Sequence, residues 1–251
     1  MFGGTRPVSL FRAPDDYDRK KPIPLVIVLH GFGAGGYAQA AYFGLASLVQ
    51  EKKFLLVAPD GTPDSKGRRF WNAVDTCCDF DKTGVDDVKY LTGLVDEIGT
   101  RWTLDRKRVY LVGHSNGGAM SYRLACDAAP RFAAAVVLAP PFYTDVSNCK
   151  PSEPVAIRHM HGTSDETVAY TEVPVESWAK WNGCGAKETA PALDIDRKVS
   201  GDETKVTRWA GCKSNGATEL WRMEGTTHVP FDLSPELPKL IWAFLEGHPK
   251  P

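Results

Sequence analysis

The chain has 251 residues and a formal net charge of −1, with acidic and basic residues dispersed, a length that suits one large α/β domain able to bury a real core. That balance excludes a basic field for nucleic acid and a polybasic patch for anionic lipid. The longest nearly apolar run, 132–143, is too short to span a bilayer and contains two prolines, Pro140 and Pro141.

Residues 1–24 are rich in Pro, Arg and Asp and have room for one or two edge strands around Val8–Phe11. The continuous apolar run 24–29 predicts a parallel strand buried on both faces. It ends in His30-Gly31-Phe32-Gly33-Ala34-Gly35-Gly36, followed by a helical pattern over 37–50, a second buried strand over 54–58 and a turn at Pro59-Asp60-Gly61. Gly31-x-Gly33-x-x-Gly36 after a strand and before a helix, with Asp60 closing the next strand, has the form of a dinucleotide-binding fingerprint. The competing reading is a backbone loop that approaches a reacting carbonyl oxygen, and a serine motif further on, useless to a dehydrogenase, favours it. The loop 62–84 carries Arg68, Arg69, Phe70, Trp71 and adjacent cysteines, which suits a functional surface segment. An amphipathic helix is predicted over 85–102, with Asp86 and Asp87 complementing the dipole of its first turn.

The stretch 109–120 organises the rest. A β-branched apolar run enters Gly113-His114-Ser115-Asn116-Gly117, and a small-residue helical pattern leaves it to about residue 128. That is the strand, sharp turn and helix of a nucleophile elbow, with Ser115 at the tip and glycines two residues either side to avoid collision. The backbone N–H of Asn116 then lies at a helix N-terminus, suited to an oxyanion, and the second such donor is expected from Phe32, with Gly33 as alternative. Strands over 132–139 and 154–161, a helix over 172–182, a polar stretch over 184–216 with a short strand at 206–209, a strand over 217–223 and a closing helix over 235–245 complete the chain.

Alternation of strands and helices predicts an α/β fold, a mostly parallel doubly wound sheet forming one domain over 1–251. In such a sheet the loops at the carboxyl ends of strands converge on one crevice. Three of them supply Ser115, Asp165 and His228, in the order nucleophile, acid, base. A hydroxyl is a poor nucleophile at neutral pH, so it needs a base, and the base needs an acid to fix its tautomer. Of six histidines, only His228 follows the last strand and precedes the last helix. Asp165 is preferred over Glu166, Asp194 and Asp196 because it ends a strand. His159 and His161 share one side of a strand, which allows a metal pair, but no third ligand accompanies them, and no metal is expected. Trp71 and Phe142 are candidate aromatic walls for the substrate.

The six cysteines permit fifteen connectivities. Cys184 and Cys212 flank a polar excursion that a bridge could close, whereas adjacent Cys77 and Cys78 are expected to reach two different partners. Their even number favours an oxidising compartment, secreted or periplasmic, with buried thiols in a cytoplasmic protein as the alternative. No charged, apolar, then Ala-x-Ala pattern opens the chain, so a secreted protein implies a signal removed before this numbering begins.

Several segments together resemble the compact esterases that group poly(3-hydroxybutyrate) depolymerases with feruloyl esterases. They are Leu29-His-Gly31, Trp71 with Cys77-Cys78, Val85-Asp-Asp-Val88, Gly113-His-Ser-Asn-Gly-Gly118 with Tyr122-Arg-Leu-Ala-Cys126, His161-Gly-Thr-Ser-Asp165, Trp181-Asn-Gly-Cys184 and Gly225-Thr-Thr-His228. The resemblance spans nearly the whole chain and implies an α/β-hydrolase fold, serine ester hydrolysis, secretion, disulfides and no cofactor. The sequence departs from it at Val168-Ala-Tyr, where Val-Pro-Tyr is frequent, and at Val229-Pro230, where an aromatic often follows the histidine. No long insertion separates the elbow helix from the acid strand, so no large lid is expected, and an open site suits bulky or polymeric esters. The expected function is a serine carboxylic-ester hydrolase working through an acyl-enzyme on feruloyl, polyhydroxyalkanoate-type or other esters. The rivals are a nicotinamide-binding oxidoreductase and a non-catalytic binding module on the same fold.

Overall fold

The computed structural model describes residues 2–251. After an edge strand β1 (Leu10–Arg12), the apolar run becomes β2 (Ile23–Leu29), in which every residue is buried. Its period of two divides it between the two faces of the sheet: Leu25, Ile27 and Leu29 join one core, Val26 and Val28 the other. The helix expected over 37–50 is broken into α1 (Gly36–Phe43), a 3-10 turn (Leu45–Leu48) and α2 (Val49–Lys52). The break falls at Gly44, whose φ of 67° ends α1 and lets its N–H bond back to the carbonyls of Ala40 and Ala41.

Strand β3 (Leu55–Ala58) follows, and the loop beyond it holds a small hairpin, β4 (Thr62–Pro63) with β5 (Arg69–Phe70). Helix α3 (Asp87–Gly99) begins two residues later than expected because Asp86 caps it, accepting from Lys89 N–H. Asp87 does more than answer the helix dipole: its buried carboxylate pairs with Arg6 at 2.7 Å and accepts from Asn72 N–H at 2.8 Å. Then come β6 (Leu104–His114), α4 (Asn116–Asp127), β7 (Ala134–Leu138), β8 (Ala156–Gly162) and α5 (Val173–Trp181). The polar stretch folds as two strands, β9 (Lys187–Leu193) and β10 (Thr204–Trp209), before β11 (Thr218–Met223) and α6 (Leu237–Glu246). Strand β9 carries no clear apolar alternation because it is the outermost strand and only its later residues, Ala190 and Leu193, pack against the core.

One nine-stranded sheet in the order β1-β3-β2-β6-β7-β8-β11-β10-β9 unites these strands. From β3 to β11 neighbours run parallel, and antiparallel strands close both edges. Helices α3, α4 and α5 cover one face and α1 and α6 the other. Register pairs Leu29 with Gly113, His114 with Leu138, Leu138 with Met160 and Gly162 with Met223. The loops leaving these residues therefore emerge along one edge, on either side of the point where chain order reverses between β2 and β6.

Disulfides join Cys126 to Cys149, Cys184 to Cys212 and Cys77 to Cys78. The last corrects the expectation that the adjacent pair reaches two partners: the other four cysteines satisfy one another, leaving the neighbours to bond together. Among the described residues no helix is long and apolar enough to cross a membrane.

Candidate active site

The turn between β6 and α4 places Ser115 at φ 53°, ψ −122°, a strained conformation for a residue with a Cβ. It is held by its N–H donating to Leu138 O at 2.8 Å and its carbonyl accepting from Ala119 N–H at 2.9 Å. Glycine is required on both sides: a Cβ on residue 113 would strike the backbone of residue 117, and one on residue 117 would strike Leu29 O. The spacing of small residues in the pentapeptide is thus a packing condition between the elbow, β2 and its own helix.

Three loops of the carboxyl edge meet at this turn. Ser115 Oγ lies 2.9 Å from His228 Nε2, and His228 Nδ1 lies 2.7 Å from Asp165 Oδ2. The other carboxylate oxygen of Asp165 accepts from the N–H groups of Thr167 and Val168, at 2.8 Å each. Ser115, Asp165 and His228, far apart along the chain, are brought together in one line.

Two backbone donors on the loops at this turn are left free by the fold. Among the described residues, neither Phe32 N–H nor Asn116 N–H has a protein acceptor, whereas Gly33 N–H is engaged with Arg69 O at 2.8 Å. Gly33 is thereby removed as the alternative donor. The side chain of Asn116 is used elsewhere: its Oδ1 accepts from Trp71 N–H at 2.7 Å and its Nδ2 donates to Trp71 O at 2.9 Å. Trp71 is fully buried and its indole N–H donates to His30 O at 3.1 Å, so it braces the two loops from behind rather than walling the cavity. Fully buried, the ring has no face left for substrate. His30 in turn accepts Gly61 N–H on Nε2 and donates from Nδ1 to Gly31 O, both at 2.8 Å.

Phe142 does line the cavity, a space of about 580 Å³ that opens onto Ser115. Its other walls include Phe32, Phe80, Tyr143, Val168 and the Cys77–Cys78 disulfide. Phe32 and Phe80 meet edge to face at 5.4 Å, and the Arg68 guanidinium lies 4.8 Å over the Phe32 ring. Phe80, Tyr143 and the Phe32 ring are cavity walls that no motif in the sequence marks. A signal for the first lay in the aromatic and cysteine content of the loop 62–84.

The glycine loop does not present an open helix N-terminus to a pyrophosphate. Asp60 Oδ1 accepts Gly36 N–H at 2.8 Å, where the phosphate of a dinucleotide would sit, and its Oδ2 pairs with Arg69 at 3.2 Å. His159 and His161 do share one side of β8, but His159 Nε2 lies 3.3 Å from His161 Nδ1, so the rings bond to each other. Among the described residues no group of three His, Cys, Asp or Glu side chains is arranged to hold a metal.

A parallel sheet with an elbow serine aligned on histidine and carboxylate defines a hydrolase of the α/β class. Residues 24–168 match the alpha/beta hydrolase fold family, and the chain belongs to it. It is 26% identical over 254 residues to feruloyl esterase D of Neurospora crassa, covering 93% of this chain and 79% of that protein. It is also 26% identical to feruloyl esterase B of Piromyces equi over 94% of this chain, but spans only 44% of that longer protein. Among solved structures, an acetyl xylan esterase from Aspergillus awamori superposes with a TM-score of 0.68 at 15% identity, covering 93% of each chain.

Proposed function

We propose that this chain is a serine carboxylic-ester hydrolase working through an acyl-enzyme, with hydroxycinnamoyl esters such as feruloyl esters as its substrates and residues 1–251 acting as one catalytic domain. The observation that carries the reading is the unbroken line Ser115 Oγ–His228 Nε2, His228 Nδ1–Asp165 Oδ2, at 2.9 and 2.7 Å. Ser115 attacks the ester carbonyl while His228 takes its proton, and Asp165 holds the tautomer and stabilises the imidazolium. The N–H groups of Asn116 and Phe32 receive the oxyanion, and His228 returns the proton to the departing alkoxide. Water then attacks the acyl carbonyl by the same route and releases the acid.

The aromatic cavity beside Ser115 suits a phenyl-bearing acyl group, and the names of the feruloyl esterase relatives point the same way. The disulfides suit a secreted protein. The test is Ser115→Ala, which removes one oxygen from an otherwise intact turn. Hydrolysis of methyl ferulate and p-nitrophenyl acetate should fall at least about a thousandfold, and labelling by a fluorophosphonate should vanish. Retained turnover in a folded Ser115→Ala protein would exclude the mechanism. A wild-type preference for polyester film or acetylated xylan over methyl ferulate would overturn the substrate class alone.

A further inference from the structure

Asp165 is approached from its other side by a second row of side chains. His161 Nε2 lies 3.2 Å from Asp165 Oδ2 and 3.0 Å from the carbonyl of Val168. Behind it, His159 Nε2 lies 3.3 Å from His161 Nδ1, and the Tyr122 hydroxyl lies 2.9 Å from His159 Nδ1. The tautomers follow from a single atom. A carbonyl oxygen only accepts, so His161 Nε2 carries a proton, and neutral His161 Nδ1 is then an acceptor. His159 must donate from Nε2, its Nδ1 must accept, and among the described residues the Tyr122 hydroxyl is the only group placed to donate to it. Both rings are buried and remain neutral, since burial pushes His159 well below the ordinary histidine value and His161 below it.

We infer that Tyr122, His159 and His161 form a buried hydrogen-bond relay that positions Asp165 for the triad, every link donating toward the carboxylate that holds the base. The inference rests on the esterase reading above and adds three positioning residues to it. The geometry assigns orientation rather than proton transport: Tyr122 is fully buried between Phe142 and Trp178, so the row has no exit to water. Oδ2 is shared by His161 and His228, so the donor from His161 both fixes the carboxylate plane and draws charge from the oxygen that faces the imidazolium. The same row links chemistry to cavity, because the ring packed on Tyr122 at 5.0 Å is that of Phe142, part of the cavity wall. The titratable groups facing His161 are Asp165, His228, His159 and the Tyr170 ring, whose hydroxyl is bonded to Glu172, while those facing His159 are His161 and Tyr122.

The test uses the whole chain with His161→Leu, His161→Gln and Tyr122→Phe, folding being checked by near-ultraviolet circular dichroism. Losing a donor to a carboxylate should lower kcat of His161→Leu roughly ten- to a hundredfold with KM within about twofold. The acid limb of its kcat/KM profile should move to higher pH, since an Asp165 carrying more of its charge holds the imidazolium proton more tightly. Gln restores an N–H near the Nε2 position and should recover most of the loss. Tyr122→Phe removes one neutral donor and should cost roughly fivefold in kcat. Independently of activity, imidazole 15N shifts of the native protein should report His159 and His161 both protonated on Nε2. The relay is overturned by a folded His161→Leu with wild-type kcat and profile, by Gln performing no better than Leu, by unchanged kcat in Tyr122→Phe, or by a proton on Nδ1 of either ring. Turnover by Ser115→Ala would sink the esterase reading while leaving the 15N result standing, so the two failures are distinguishable.

Discussion

His114, the residue before Ser115, donates from Nε2 to the backbone carbonyl of His228 at 2.9 Å. The strand that presents the serine therefore also tethers the loop that carries the imidazole. A second tether comes from α1, where Tyr42 Oη donates to Pro230 O at 2.9 Å. The order of the elbow pentapeptide thus matters to the base as well as to the nucleophile.

His114→Phe keeps a ring of similar size and deletes that donor, and Tyr42→Phe deletes the other. Each should lower kcat/KM roughly three- to tenfold through a looser His228 loop, since a neutral hydrogen bond contributes about 1 kcal/mol. Because both tethers hold one loop, their effects should couple in a double-mutant cycle. Strict additivity of the two losses would show that they act on separate elements.

Burial of neutral histidines sets the response of stability to acid. In the folded chain His114 is pushed down to about 4 by desolvation, from an ordinary 6.5. Desolvation also lowers His30, His159 and His161. A histidine with a depressed folded value takes up its proton on unfolding, so the unfolded state binds more protons as pH falls. The stability is fully present above about 6.5 and is lost progressively toward about 4, with His114 alone accounting for about 3 kcal/mol. Asp87, raised by desolvation, acts in the opposite sense. Tm should begin to fall below pH 6.5, before most carboxylates titrate, and His114→Phe should flatten part of that slope. A Tm constant from pH 7 to 4.5 would contradict the burial argument.

The side chain of Asn116 makes two hydrogen bonds to the backbone of Trp71, joining the start of α4 to the loop 62–84. Asn116→Ala keeps the backbone N–H proposed for the oxyanion but leaves the Trp71 N–H and carbonyl buried without partners. It should cost about 2–4 kcal/mol of stability in urea unfolding, while kcat of the surviving folded fraction falls less than that of Ser115→Ala. A neutral effect on unfolding would mean that water replaces the amide.

The parts of this molecule legible in its sequence are those where a local pattern carries a single physical meaning. The run 24–29 is apolar at every position because β2 is covered on both faces, and the pentapeptide around Ser115 needs small residues for a packing reason that any α/β elbow shares. The line through Ser115, Asp165 and His228 was readable because each ends a strand or opens a loop on one edge. What stayed hidden depends on contacts between distant segments. His159 and His161 gave the right periodicity, but their partners Tyr122 and Asp165 belong to other elements, and the spacing alone equally suited a metal pair. Trp71 has the residue type of a cavity wall, and only tertiary packing reveals that both its faces are taken. Strand β9 lacked a signal because, as the outermost strand, it is largely exposed and packs on the core only through Ala190 and Leu193.

Phe80 stands 62% exposed at the mouth of the cavity, edge-on to Phe32. An aromatic ring left so exposed gains little from its own burial, and the part of it not packed on Phe32 borders the cavity that Ser115 also lines, where an entering ligand can cover it. A planar hydroxycinnamoyl group entering the cavity would cover that ring, whereas an acetyl group would not reach it. Phe80→Ala should therefore raise KM for methyl ferulate roughly tenfold, by removing apolar contact area worth about 1–2 kcal/mol, with kcat within about threefold. The same variant should hydrolyse p-nitrophenyl acetate within about twofold of wild type at every concentration, because the oxyanion donors and the triad geometry are untouched. An equal loss on both esters would place the defect in the loop rather than in acyl recognition, and no loss on either would leave the ring without a part in binding.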